Sequence, residues 1–183
     1  DNATGEVLAT KEGIFIEQEI LKETVGSQDQ VLAAYGGFNQ ILFLKNGEIS
    51  VHPIVLSLER LNELNSHLML FYTGIKRTAA DVAITYVNGI EERKRQLRVM
   101  KDIVEESISI LNSNNDITAF GELMHESWLV KRSLSSHVSN PHVDGIYENA
   151  IAAGAIGGKL TGAGGGGFLL LFAPPDKRKA VKE

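Results

Sequence analysis

Gly157–Phe172 reads GGKLTGAGGGGFLLLF, a glycine-rich turn that runs directly into an apolar segment. The run Gly164–Gly167 is hard to order, because glycine loses more backbone entropy on folding than any other residue. A tight connection or a close backbone crossing accounts for one or two glycines. The whole set from Gly157 and Gly158 through Gly167 points instead to backbone brought close to a ligand, with N–H groups forming an anion-binding nest. Gly162, Gly164 and Gly167 satisfy G-x-G-x-x-G, but the dinucleotide fingerprint follows a strand and opens a helix, whereas this turn opens the strand-like FLLLFAPP. Gly158-Lys159 does not make a Walker loop either, since Ala153 stands five residues before Gly158 and Leu160 follows the lysine.

Outward from this turn, Pro141–Ala153 and Ile117–Leu134 read as helices, the latter carrying Phe120, Leu123, Met124, Trp128 and Leu134 on or near one face. Asn112–Asp116 is a loop, and residues 78–112 form a long helical stretch that Gly89 divides. His67–Thr73, HLMLFYT, reads as a buried strand ending at Gly74. Nearer the start, NQILFLKNGEISVHPI places Asn46-Gly47 between two apolar segments, the strongest short-range hairpin signal. Ile14, Ile16, Ile20 and Leu21 mark an amphipathic helix ending at Gly26. Strands first, helices in the middle and a strand last make an α+β, two-layer pattern: an antiparallel sheet with helices on one face.

The 183 residues carry 18 Lys and Arg against 23 Asp and Glu, a net charge of -5, with no basic stripe for nucleic acid. The one basic cluster, Arg93–Arg98, sits among Glu91, Glu92, Asp102 and Glu105 and reads as a solvated helix face. No cysteine is present, which excludes disulfides, thiolate metal sites and thiol chemistry and fits a cytoplasmic setting. No apolar run approaches the roughly twenty residues of a membrane helix. The histidines offer no zinc spacing, and His125-Glu126 reads as a helix-surface or packing pair, so no metal ligand is assigned.

Lys159, Thr161, Gly162, Gly164, Gly166 and Gly167 fall on K-x-T-G-x-G-x-G-G, and here the chain resembles the C-terminal motif of the GHMP kinases. GSQDQVLAAYGGFNQI, LMLFYTGIKRTA and LMHESWLVKRSLS extend the likeness over about Gly13–Pro174, closest to D-glycero-D-manno-heptose 7-phosphate kinases and fucokinase-like sugar kinases. The resemblance implies a ferredoxin-like C-terminal domain over residues 63–183, and the end of an N-terminal domain over residues 1–62. It implies ATP and Mg²⁺ as co-substrate and cofactor, and a sugar or sugar-phosphate acceptor. The loop of Lys159, Thr161, Gly162, Ala163, Gly164, Gly165, Gly166 and Gly167 would lie beside the phosphates.

Asp29, a turn or helix-cap residue on composition alone, becomes by resemblance the carboxylate that orients the acceptor or takes its proton. Ser27, Gln28, Gln30, Tyr35, Gly36 and Gly37 would lie near it, with Arg77 and Lys131 as cations for a sugar phosphate, although a solvated surface charge is the competing reading of each. Trp128 reads as core or wall. The family's phosphate-cradling P-x-x-x-G-L-G-S-S-A segment is not found in these residues, so an N-terminal half is expected to be required. Other readings left open are a fucokinase- or galactokinase-like activity and a catalytically silent ligand-binding module. Mevalonate-type acceptors are disfavoured by the QDQ segment.

Overall fold

The computed structural model describes residues 2–76, 82–85 and 89–183. The chain divides into two compact units, Asp1–Val55 and Leu56–Glu183. The boundary expected between residues 62 and 63 falls inside a helix of the second unit.

In the first unit, helix α1 (Asn2–Phe15) continues into a π-helical turn, Ile16–Ile20. The helical run stops there, before Gly26, where Lys22 adopts a left-handed φ of 55°. Helix α2 (Gln28–Tyr35) follows, then the hairpin β1 (Asn39–Phe43) and β2 (Ile49–Pro53), paired antiparallel from Asn39↔Pro53 to Phe43↔Ile49. The turn is the expected Asn46-Gly47, with Gly47 at φ 86° and the Asn46 side-chain oxygen accepting from the Glu48 amide. Among the described residues of this unit, Val31 is the buried hydrophobic side chain. Apolar side chains at the end of this helical run lie open, with Phe15 56%, Ile20 61% and Leu21 58% exposed.

The second unit opens with α3 (Leu58–His67), which the sequence reading passed over. Its start is capped by Ser57, whose hydroxyl accepts from Arg60 N at 3.1 Å. Three strands form its sheet: β3 (Leu68–Tyr72), β4 (Gly157–Leu160) and β5 (Phe168–Phe172), ordered β3-β5-β4 and antiparallel throughout. The apolar FLLLF is therefore the central strand, as its composition suggests. The HLMLFYT segment is an edge strand rather than a buried one, with Leu70 and Tyr72 exposed. Gly157 and Gly158, read as part of the ligand loop, belong to β4.

Between the strands run α4 (Lys94–Asn112), entered through a 3₁₀ turn at Ile90–Arg93 beside Gly89, then α5 (Thr118–Arg132) and α6 (Pro141–Ala152). A short helix, α7 (Arg178–Lys182), follows β5. Trp128 of α5 and Val143 and Tyr147 of α6 pack with Leu160, Leu169 and Leu171 in one cluster. Leu64, Leu111, Ile117 and Met124 gather around Phe172 in another. At the crossing of α5 over β4 the backbones touch: a Cβ on Gly157 would sit 2.1 Å from the Gly121 carbonyl oxygen. The two glycines are thus packing residues. No helix among the described residues is long and apolar enough to cross a membrane.

Candidate functional site

The glycine-rich turn joins β4 to β5 and borders an open cavity of about 450 Å³ lined by Tyr72, Ile75, Lys76, Thr161–Ala163 and Gly166–Phe168. Its glycines divide by physical cause. Gly164 and Gly166 are needed for space, since a Cβ would lie 2.7 Å from the Val138 carbonyl oxygen and 2.7 Å from Ile75 Cγ2 respectively. Gly162 and Gly167 have open space where a Cβ would be, but take φ of 64° and 87°, the left-handed region that glycine enters without strain.

The loop is polarised. Its carbonyls are claimed from behind: Gly162 O accepts from Lys131 Nζ at 2.5 Å, Gly165 O from Asn140 Nδ2 at 2.9 Å, and Gly167 O from Thr73 Oγ1 at 2.9 Å. Two amides are used as well, Gly165 N donating to Val138 O and Gly167 N to Ile75 O. The amides of Gly162, Ala163, Gly164 and Gly166 find no acceptor among the described residues. Gly164 and Gly166 are buried. Buried N–H groups without acceptors are costly, and they are what an anion supplies with partners.

Lys76 lines the same cavity, is exposed, and makes no ion pair among the described residues. Sequence reasoning chose Arg77, which lies outside the described residues, and passed over this neighbour; the TGIKRTA segment offered both cations. Lys159 sits in β4 opposite Leu170, where burial depresses its ammonium pKa below the ordinary lysine value. Lys131 does not line the cavity: it is 8% exposed and donates to Leu160 O and Gly162 O beneath the loop. Trp128 is fully buried in the core. His125 Nδ1 lies 2.7 Å from the Tyr147 hydroxyl, and burial pushes that phenol up to about 12. Among the described residues no three His, Asp or Glu side chains gather as metal ligands.

In the first unit Asp29 is exposed in the first turn of α2, where its charge complements the helix N-terminus. Ser27 holds the cap position but makes no cap bond; its hydroxyl accepts instead from Gln18 Nε2 at 3.2 Å. Gln28 is exposed, whereas Gln30 turns inward, donating to Glu17 at 2.5 Å. Gly36 and Gly37 end α2 at φ 58° and 68°. Tyr35 lines a separate cavity of about 480 Å³ between α1 and the hairpin, with Thr10, Lys11, Asn46 and Glu48. Thus Asp29, Ser27 and Gln28 share one helix start, Tyr35 stands at the far end of α2, and the glycine loop belongs to the other unit.

Comparison with known proteins agrees with this architecture. The family described as GHMP kinases C terminal matches residues 99–183. A D-glycero-alpha-D-manno-heptose 7-phosphate kinase of Campylobacter jejuni is 33% identical over 95% of this chain and 52% of its own length. A mevalonate kinase of Pyrococcus horikoshii is 31% identical over 84% of this chain and 44% of its own. The crystal structure of a D-glycero-D-manno-heptose 1-phosphate kinase from Bacteroides thetaiotaomicron superposes with a TM-score of 0.70 at 25% identity, covering 97% of this chain and 47% of that one. The chain therefore spans about half the length of these two curated relatives. Its α+β architecture is that of the GHMP kinases, and its residues 99–183 are a GHMP kinase C-terminal domain.

Proposed function

We propose that this chain is the C-terminal part of a kinase that moves the γ-phosphoryl group of ATP to a hydroxyl of a sugar or sugar phosphate. The observation that carries this reading is the polarised glycine loop, where Gly162, Ala163 and Gly166, whose amides find no acceptor among the described residues, line a cavity beside the Lys76 cation. Such a surface suits a phosphoryl group, whose transfer depends on positioning and on stabilising negative charge rather than on covalent catalysis. The heptose 7-phosphate kinase relative supports a D-glycero-D-manno-heptose 7-phosphate acceptor, and the proposed site of transfer is its anomeric hydroxyl. Fucose or galactose is the alternative within the sugar class.

In this reading Asp29 takes the acceptor hydroxyl proton as the acceptor oxygen bonds to the γ-phosphorus and the bond to the ADP oxygen breaks. Ser27, Gln28, Tyr35, Gly36 and Gly37 belong to the acceptor side. The loop residues Lys159–Gly167 and Lys76 belong to the phosphate side, with Arg77 as a further cation. Mg²⁺ would accompany the nucleotide phosphates and supply positive charge against the transferring phosphoryl group. An N-terminal half supplies the rest of the nucleotide site. The thin core of the first unit, with Val31 buried and the α1 stripe open, supports a need for such a partner segment.

The test is ADP release by the full-length protein with Mg-ATP, offering heptose 7-phosphate, fucose, galactose and mevalonate in turn. Turnover with one of the sugars supports the proposal and names the acceptor. Turnover with mevalonate alone overturns the sugar assignment, and nucleotide binding without turnover on any acceptor favours the silent module.

A further inference from the structure

A run of glycines has no side chains to decide which way its peptide groups face, so each can present either its N–H or its C=O to a neighbouring cavity. Something outside the run must choose. In this structure side chains on two helices behind the loop make that choice at Gly162 and Gly165, alongside the Thr73 hydroxyl and the backbone bonds that hold Gly167 and the Gly165 amide. Lys131, near the end of α5 and almost fully buried, donates to Leu160 O at 3.0 Å and to Gly162 O at 2.5 Å. Asn140 caps α6 with one end and the loop with the other: its Oδ1 accepts from Val143 N at 3.1 Å, while its Nδ2 donates to Gly165 O at 2.9 Å.

Both side chains take acceptors from the loop, and neither takes a donor. An ammonium has three donors and no acceptor, and an amide nitrogen only donates, so these groups can hold carbonyls but never amides. Burying the ammonium of Lys131 is unfavourable unless its protons are used, which makes the tether strict rather than incidental. With the oxygens of Gly162 and Gly165 held behind the loop, the amides of Gly162, Ala163, Gly164 and Gly166 are left without partners among the described residues.

We propose that Lys131 and Asn140 are positioning residues that fix the polarity of the glycine loop, holding its carbonyls so that its free amides meet a phosphoryl anion. This rests on the reading of the loop as a phosphate-facing surface. It gives Lys131 a role beneath the site in place of direct contact with a substrate phosphate. It also explains why a lysine and an asparagine from separate helices converge on one turn.

The experiment follows the amide resonances of Gly162–Gly166 in the full-length protein during titration with inorganic pyrophosphate. Wild type is compared with Asn140→Ser, Lys131→Met and Lys131→Arg. Asn140→Ser keeps a helix-capping oxygen and removes the reaching amide donor, so it isolates the tether from the cap. Loss of a tether is expected to weaken pyrophosphate binding at these amides about five- to tenfold. Lys131→Arg, which retains donors, is expected to recover most of the loss. If Lys131→Met does not fold, Asn140→Ser carries the test.

Variants that bind pyrophosphate at the loop as tightly as wild type overturn the positioning role while leaving the phosphate-facing reading in place. A wild-type protein whose loop amides do not respond to pyrophosphate overturns both.

Discussion

Asp29 carries the chemistry of the proposal at the residue scale, as an exposed carboxylate in the first turn of α2. Asp29→Asn in the full-length protein is expected to lower turnover about 10²- to 10⁴-fold while nucleotide binding, followed by titration calorimetry, is kept. The loop glycines separate under mutation as they do in geometry. Gly164→Ala drives a Cβ against the Val138 carbonyl at φ 112° and should destabilise by about 2 kcal/mol or more, whereas Gly162→Ala meets open space and should cost about 1 kcal/mol. Urea unfolding of the two variants checks the order. Lys159 links the site to pH. Its folded pKa is lowered by burial while the unfolded value is the ordinary 10.5, so in between the unfolded chain binds more protons. The penalty is full below the folded value and disappears as pH climbs to the unfolded one. Stability should therefore rise with pH as the medium approaches 10.5, and Lys159→Met should remove that part of the slope in urea midpoints taken from neutral pH upward.

At the scale of elements, α5 joins core and site. Its middle buries Trp128 completely against the sheet, and its end delivers Lys131 beneath the loop. Trp128→Ala should destabilise by about 3–5 kcal/mol, measured by thermal or denaturant unfolding of the second unit. The helices α5 and α6 and the central strand were legible in the sequence, because long apolar-periodic segments and a dense apolar strand between glycine and proline signals leave little choice. Helix α2 was not read as a helix, and three elements of the second unit escaped as well. Helix α3 carried a signal in its Ser57 cap and in Leu58, Leu61 and Leu64 at helical spacing. Strand β4 was hidden because GGKL has weak strand propensity and forms by pairing with β5 and packing under Gly121. Helix α7 is five residues long, too short for any periodicity to show.

Across the whole molecule the two units differ in self-sufficiency. The second carries both core clusters, whereas the first shows one buried hydrophobic side chain among its described residues, and a two-stranded hairpin with two helices is marginal without more core. Expressed separately, residues 56–183 are expected to unfold cooperatively by circular dichroism, and residues 1–55 to show little stable structure. Cooperative unfolding of the short piece alone would contradict this account. The sequence by itself determined the α+β class, the Asn46-Gly47 hairpin, the existence of the strand at Phe168–Phe172 and the position of the glycine loop, because local patterning and turn chemistry encode these directly. Tertiary structure alone decided that β3 lies at the sheet edge, that Gly157 and Gly158 serve packing, and that Lys76 lines the cavity while Lys131 lies beneath it. Those outcomes depend on which backbone meets which across long stretches of chain: a glycine or a lysine reads the same in sequence whether it faces a ligand, a helix or a carbonyl thirty residues away.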